Sequence, residues 1–426
     1  MAFSTDPGPA NHALTSDDSS TTFAFSAMTV LFFIWGFITA LNDILIPHLK
    51  GTFDLNYTQA MLVQFCFFGA YFGVSPFAGK LLEAVGYKRG IFIGLLLMAA
   101  GCLMFYPAAE NGVYAIFLIA LFVLASGITI LQVSANPYVS ALGPERTATS
   151  RLNLAQAINS LGHTLGPLFG ALLILGAGSG AAESTKSVQV PYMILATAIV
   201  LVALGFLRLK LPAINAIESS ARTDASTESI WKHKKLVFGA LAIFLYVGAE
   251  VSVGSFLVNF FAEEHIGGLA AQDAGKLVSY YWGAAMIGRF IGAAATRYIE
   301  PVYVLAFNGL CAITLIVFTI VSSGETAMWS ILAVGFFNSV MFPTIFTLAI
   351  RRLGPLTSRG SGLLCQAIVG GAILPLIQGL VADTSSIQTS FIVPACCYVY
   401  IIWYALKGSF LDEGKDNSND MAGSTA

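Results

Sequence analysis

Twelve stretches of about twenty mostly apolar residues run along this chain, and a helix that crosses a bilayer needs that length. They cover roughly 24–48, 59–81, 90–107, 113–139, 151–176, 190–209, 236–261, 276–296, 301–322, 327–350, 361–382 and 388–407. In hydrocarbon each backbone polar group has to be satisfied by its own segment, so such stretches are helices. The expected class is an all-α integral membrane protein of twelve transmembrane helices. Composition agrees: 56% of the residues are hydrophobic and 10% charged, where a soluble domain carries about 25% charged residues. No basic stripe points to nucleic acid. Cys66, Cys102, Cys311, Cys365, Cys396 and Cys397 all fall in spans and read as small apolar residues, with no metal-ligand pattern. The polar first 22 residues contain no Lys or Arg. They lack the basic region of a cleaved signal peptide, so the first span is expected to serve as the insertion signal.

Basic residues orient the spans. With the N-terminus inside, only Lys50, Lys186 and Lys276 fall in outer loops, and Arg289 lies in the eighth span near its inner end. The other basic residues, among them Lys80, Lys88, Arg89, Arg146, Arg208, Lys232, Arg297, Arg351 and Lys407, fall inside. The positive-inside rule therefore places both termini in the cytoplasm, and a bacterial inner membrane suits a multi-pass chain of this kind. One longer polar gap, with Ser219, Ser220, Arg222, Asp224, Ser226 and Thr227, separates spans six and seven. The expected units are a tail (1–22), a six-helix bundle (23–209), a cytoplasmic linker (210–235), a second six-helix bundle (236–408) and a tail (409–426).

The halves resemble each other. Leu142-Gly143-Pro144 leads to Gln156-Ala157-Ile158, and Leu353-Gly354-Pro355 leads to Gln366-Ala367-Ile368, at nearly one offset. Pro137 and Pro343 precede these loops, and Gly79 corresponds to Gly292. Two parallel six-helix repeats about a linker, with a ligand held between them, describe a major-facilitator transporter. The loop after span two reads Gly79-x-x-x-Glu83-x-x-Gly86-x-Lys88-Arg89. It looks like that superfamily's loop signature, whose role would be a conformational latch on the inner side. Small-residue runs at Gly69/Gly73, Gly162/Gly166/Gly170 and Gly288/Gly292 read as helix-packing surfaces.

Two acids, Asp43 and Glu250, lie well inside apolar spans. An acid at mid-membrane costs about 2.5–3.5 kcal/mol on insertion scales and marks an ion path, proton relay or substrate site. Asp43 shares a helix face with Thr39 and Trp35, and Asn42 is adjacent; Glu250 follows Tyr246 by one turn. Few basic residues lie deep enough to pair with either. Ser126, Thr129, Gln132 and Asn136 share one face of span four, while Asn153, Gln156, Asn159, Ser160 and His163 crowd span five. Amides both donate and accept, which suits a hydroxyl-rich ligand such as a sugar. Trp35, Tyr246 and Trp282 are candidate stacking platforms. His163 reads first as a packing residue and second as a proton relay. Asn56-Tyr57-Thr58 fits a glycosylation sequon.

Longer strings carry a closer resemblance: Leu41-Asn42-Asp43-Ile44-Leu45-Ile46-Pro47, Gln132-Val133-Ser134-Ala135-Asn136-Pro137-Tyr138, Arg151-Leu152-Asn153-Leu154-Ala155-Gln156, Tyr246-Val247-Gly248-Ala249-Glu250 and Gly288-Arg289-Phe290. Together they resemble the fucose–galactose–glucose:proton symporter family, nearer its glucose/galactose branch. The resemblance implies proton coupling at Asp43; the fucose branch's second acid falls at Gln132 and does not carry over. Glu250, where that branch has glutamine, is read from its isolation in the membrane as helping to bind sugar or sharing the proton. The resemblance also implies sugar contacts at Gln156 and Asn159. Asn42, Gln132, Asn136, Tyr246, Trp282 and Gln366 complete the candidate binding set. The expected activity is import of a neutral monosaccharide, a hexose such as glucose, galactose or fucose, with a proton, by a monomer in the lipid bilayer. Sodium coupling, uncoupled transport and efflux of amphipathic compounds are the alternatives. No cofactor, metal cluster, nucleophile elbow or phosphate loop is present in the sequence, so an enzyme is not expected.

Overall fold

The computed structural model describes residues 18–54, 57–170, 186–209, 211–212 and 229–411; within them some side chains, those of Asn42 and Asp43 included, lie outside the described set. The sequon at Asn56, the outer end of the fifth span, most of the linker and both tails also lie outside it. The helices are α1 (Asp18–Thr52), α2 (Tyr57–Val85), α3 (Tyr87–Asn111), α4 (Tyr114–Ala141), α5 (Ala148–Gly170), α6 (Gln189–Arg208), α7 (Lys234–Ala262), α8 (Ala271–Tyr298) and α9 (Pro301–Val321). Each of the last three spans is interrupted: α10 (Gly324–Asn338) and α11 (Met341–Ile350), α12 (Thr357–Gln366) and α13 (Gly370–Thr384), α14 (Ile387–Ser390) and α15 (Ile392–Leu406).

Among the described residues ten helices qualify as membrane crossings by length and apolarity. The described parts of α5, which stop at Gly170 before the apolar run 171–175, and of α8 do not, and both are rich in polar residues. Helix α5 carries Asn153, Gln156, Asn159, Ser160, His163 and Thr164; α8 carries Asp273, Lys276, Arg289 and Arg297. Both are long enough: the 23 residues of α5 reach about 34 Å. Their polarity is tolerated because they pack against each other and hide part of it from lipid.

Two packing groups result. Within α1–α6, α1 lies on α5, α4 on α3 and α2, and α6 on α3; within α7–α15, α7 lies on α13 and α15, and α9 on α15 and α10. The groups meet along one plane, where α5 faces α8 and α11, and α12 faces α2 and α4.

Small residues set the closest approach. A Cβ added at Gly162 would overlap the Phe33 carbonyl oxygen of α1, and one at Gly166 would lie 2.7 Å from the Phe37 carbonyl oxygen. This is the tight contact expected where packing, not hydrophobicity, drives association in lipid. Gly288 and Gly292 likewise press on Phe336, Ser339 and Val340. The Gly69/Gly73 pattern is a correction: a Cβ at either position meets nothing within 4 Å, because these glycines lie on the side of α2 that carries the exposed Phe65 and Phe72, while Ala70 and Tyr71 are buried on the other.

Gly162→Leu is expected to destabilise the protein by about 1–3 kcal/mol through overpacking, seen as a lowered melting temperature in detergent. Gly73→Leu should leave melting nearly unchanged, within about 0.5 kcal/mol.

Candidate functional site between the two helix groups

The plane between the groups is closed at the end that carries Glu83. There the Arg359 Nε lies 2.6 Å from Glu83 Oε1, and Tyr87 and Ser358 share a hydrogen bond of 3.1 Å. Arg351 Nε donates to Glu145 Oε1 at 2.7 Å, with Arg352 at 3.9 Å from the same oxygen. Thr149 and Thr347 share a hydroxyl bond of 2.7 Å, and Ser150 donates to the Ala293 carbonyl at 2.5 Å. Farther along α5 and α8 the cross-plane contacts run to Thr164 and Met286, at 3.8 Å. Beyond them Leu165 is 40% exposed, and a Cβ at Gly283 meets nothing within 4 Å. The cleft is thus shut at the Glu83 end, and among the described residues of α5 and α8 no cross-plane hydrogen bond lies beyond Thr164 and Met286.

Of the loop signature, a Cβ added at Gly79 would lie 3.0 Å from the Ser358 carbonyl oxygen, so a side chain there would press α2 away from α12. Gly86 turns the chain at φ 80, a conformation that favours glycine. Lys88 reaches α6, donating to the Leu207 and Leu209 carbonyls at 2.8 Å each; it caps that helix. Arg89 is exposed.

Proline shapes the walls. Pro137 lies inside α4 and has no N–H for the Val133 carbonyl one turn back. Ser361 of α12 supplies the missing donor, at 2.9 Å, from across the plane. Pro343 stands in the same relation to the Ser339 carbonyl, at the break between α10 and α11. Arg289 Nε supplies that donor at 3.2 Å. The repeat has kept the backbone defect in both halves and repaired it with different residues.

Few bases lie deep enough to pair with either acid, and among the described residues Arg289, placed by the sequence near the inner end of its span, is the one that reaches Glu250. Its Nη2 is 3.6 Å from Glu250 Oε1, with the two side chains 14% and 13% exposed. Its Nη1 donates to Ser160 Oγ of α5, in the other group. A base inside a span carries the same functional signal as an acid, and that signal was present in the sequence. Counting from the helix end placed it too shallow, because it ignored the reach of a long side chain.

Below Glu250 lies a saturated polar cluster centred on Asn338. Its amide donates to Tyr281 Oη at 2.8 Å and accepts from Tyr398 Oη at 2.6 Å, and its backbone carbonyl accepts from Tyr246 Oη at 3.0 Å. Tyr246 is fully buried; its ring packs in the core and its hydroxyl is engaged. Trp282, 44% exposed, stands edge-on to Tyr281 at 5.1 Å.

On the α4 and α5 faces, several polar groups serve their own helices. Ser126, Thr129 and Ser160 donate to carbonyls one turn back. Gln132 donates to Tyr71 Oη at 2.5 Å, and Asn159 to the Phe32 carbonyl of α1 at 2.8 Å. His163 Nδ1 lies 3.3 Å from the Asn159 carbonyl oxygen. Asn136 is buried, and both of its amide atoms lack a partner among the described residues. Gln156 is buried, and Gln366 is half-buried at the break after α12. Trp35 packs on Phe32 at 5.1 Å. Asp43 and Asn42 belong to α1, but their side chains lie outside the described set.

Cysteines replacing Thr149 and Thr347 should form a disulfide while the Glu83 end is closed. Glu83→Gln removes one partly buried ion pair, worth about 1 kcal/mol, so the cross-linked fraction should fall about fivefold relative to the open form. A yield that does not change would remove the ion pair from the closure.

The model of the Major Facilitator Superfamily matches residues 23–365. A glucose/galactose transporter of Brucella abortus biovar 1 (strain 9-941) is 56% identical over 93% of this chain and 97% of its own length. The L-fucose-proton symporter of Escherichia coli (strain K12) is 34% identical, covering 89% of this chain and 92% of its own. The crystal structure of FucP, a transporter of the same superfamily in the outward conformation, superimposes with a TM-score of 0.84 at 33% identity, over 91% of this chain and 99% of that one. A chain of twelve spans that splits into two packed groups around one polar cleft, and that matches this family over most of its length, is a multi-pass membrane transport protein: it belongs to the Major Facilitator Superfamily.

Proposed function

We propose that this chain imports a neutral hexose together with a proton, by alternating access between two six-helix bundles, 23–209 and 236–408, joined by the linker 210–235. The observation that carries the reading is the pairing of α5 with α8. The two least apolar spans face each other across the dividing plane, where their polarity serves a cleft and not the lipid. The unpaired amide of Asn136 and the acid at Glu250 give that cleft both hydrogen-bonding partners and charge. The similarity to transporters of glucose, galactose and fucose points to the substrate class.

The proposed orientation puts the basic, closed end in the cytoplasm of a bacterial inner membrane, with both termini there, and the protein acting as a monomer. The end opposite Glu83 would then face outward, in keeping with the similarity to FucP in its outward conformation. Glu83 and Arg359 would be the latch that opens as the sugar is delivered. Asp43 is the proposed coupling acid. Glu250 is proposed to contact sugar, with Gln132, Asn136, Gln156, Asn159, Trp282 and Gln366 lining the path from both bundles. Tyr246 would act from behind, by holding Asn338.

Proteoliposomes loaded with a panel of labelled hexoses, with and without an inward proton gradient, test the reading. Gradient-driven accumulation of at least one hexose is expected. Accumulation driven only by a sodium gradient would replace the proton, and no uptake of any hexose would overturn the substrate class. Asp43→Asn should abolish uphill uptake while sparing sugar exchange, and full pH-driven accumulation by that variant would sink the coupling assignment.

A further inference from the structure

We infer that Arg289 is a positioning residue of the transport site, one that conveys the charge of Glu250 to the opposite bundle through Ser160. The inference rests on the transporter reading for its purpose, but its geometry stands on three contacts of one side chain.

A guanidinium presents its donors in a rigid planar fork and cannot shed its proton, so inside a membrane it has to find acceptors. Two of the acceptors here are neutral: the Ser339 carbonyl in its own bundle, left without a backbone donor by Pro343, and Ser160 Oγ in the other bundle. The third is the only one with a charge. Glu250 Oε1 stands at 3.6 Å, beyond hydrogen-bond distance, and has no hydrogen-bond partner among the described residues. Oε1 therefore answers the guanidinium by charge and not by a hydrogen bond, while the carboxylate is also hydrogen-bonded to Tyr246 on its own helix. Tyr246 on its own helix, Tyr281 on α8 and Tyr398 on α15 face it, and His163 on α5 faces Arg289. None of these supplies a second negative charge while the tyrosines remain phenols.

The arrangement makes a competition. The Ser339 contact lies within one bundle and survives any rigid movement between bundles. The Ser160 contact crosses the plane and has to break when the Glu83 end opens. A charged Glu250 compensates the cation from within its own bundle and lets Ser160 go. When Glu250 loses its charge, Arg289 is a buried cation without a counter-ion, and it holds Ser160 more strongly. Neutral Glu250 therefore favours the form closed at the Glu83 end, and charged Glu250 eases its opening.

The disulfide yield between cysteines at 149 and 347, measured in sugar-free membranes, reads the closed population. Glu250→Gln should raise it several-fold, and Ser160→Ala should lower it. In the Ser160→Ala background, Glu250→Gln should have no further effect. Arg289→Gln alone strands an acid in the membrane and risks misfolding, so the charge-neutral Glu250→Gln/Arg289→Gln pair is the second variant. In that background Ser160→Ala should leave the yield unchanged, and Arg289→Lys should retain part of the response. An effect of Glu250→Gln that persists in full without Ser160, or a yield indifferent to Glu250, would overturn the inference. Hexose uptake by the same membranes is scored separately. Coupling without uptake sinks the substrate reading alone, and uptake without coupling sinks the inference alone.

Discussion

A guanidinium buried between two halves of a membrane protein has to be compensated wherever those halves go, and much of this structure is arranged around that need. Arg289 meets an acid, a backbone carbonyl and a hydroxyl, each from a different helix. Removing any one of them leaves charge in a medium that cannot solvate it. This constraint explains why α5 and α8 lie together. It also explains why an acid is tolerated on α7 and why the α10–α11 break sits beside α8.

The closed end works on a different principle. Its contacts are individually weak: partly exposed ion pairs, hydroxyl pairs and one hydroxyl-to-carbonyl bond. Weakness is what a gate requires, since each contact has to be exchanged for water on every cycle. Ser361 on the Val133 carbonyl is the exception in kind. Opening would return that carbonyl to the defect left by Pro137, so this one bond has a stated cost for leaving, about 1–3 kcal/mol if water does not replace it. The two repeats treat the same backbone fault differently. One mends it across the plane, where the bond is state-dependent; the other mends it within a bundle, where it is permanent.

Much of the architecture was legible in the sequence. Apolar length marks a span whatever its neighbours, so all twelve spans could be read from the full sequence, α5 and α8 included despite the polar residues they carry. Glu83 and Gly79 could be placed at the closing end because loop position is local. The site was only half legible. Glu250 was visible as an anomaly in its span, but its partner was not identified, because helix counting locates a Cα and not the end of an arginine. Tyr246 was read as a face for sugar, yet it lies in the core and holds Asn338; one turn of separation from Glu250 says nothing about which side of the helix is packed. Gly69 and Gly73 were read as a contact, and they face open space, since a small-residue pattern does not say whether its side of the helix is packed or turned outward.

By itself the sequence determined the class, the number of spans, the pairing of the repeats and the residue types that a polar cleft would need. All of these follow from local physics: hydropathy over a span's length, charge at its ends and the missing N–H of proline. The tertiary structure decided which polar groups are already engaged, by Asn338, Tyr71 or their own helices, and which atoms lack a hydrogen bond among the described residues, as in the Asn136 amide and at Glu250 Oε1. It also decided which end of the cleft is shut, and that Arg289 belongs to both bundles at once. Those are properties of distances between segments far apart in the chain, and no periodicity within a segment encodes them.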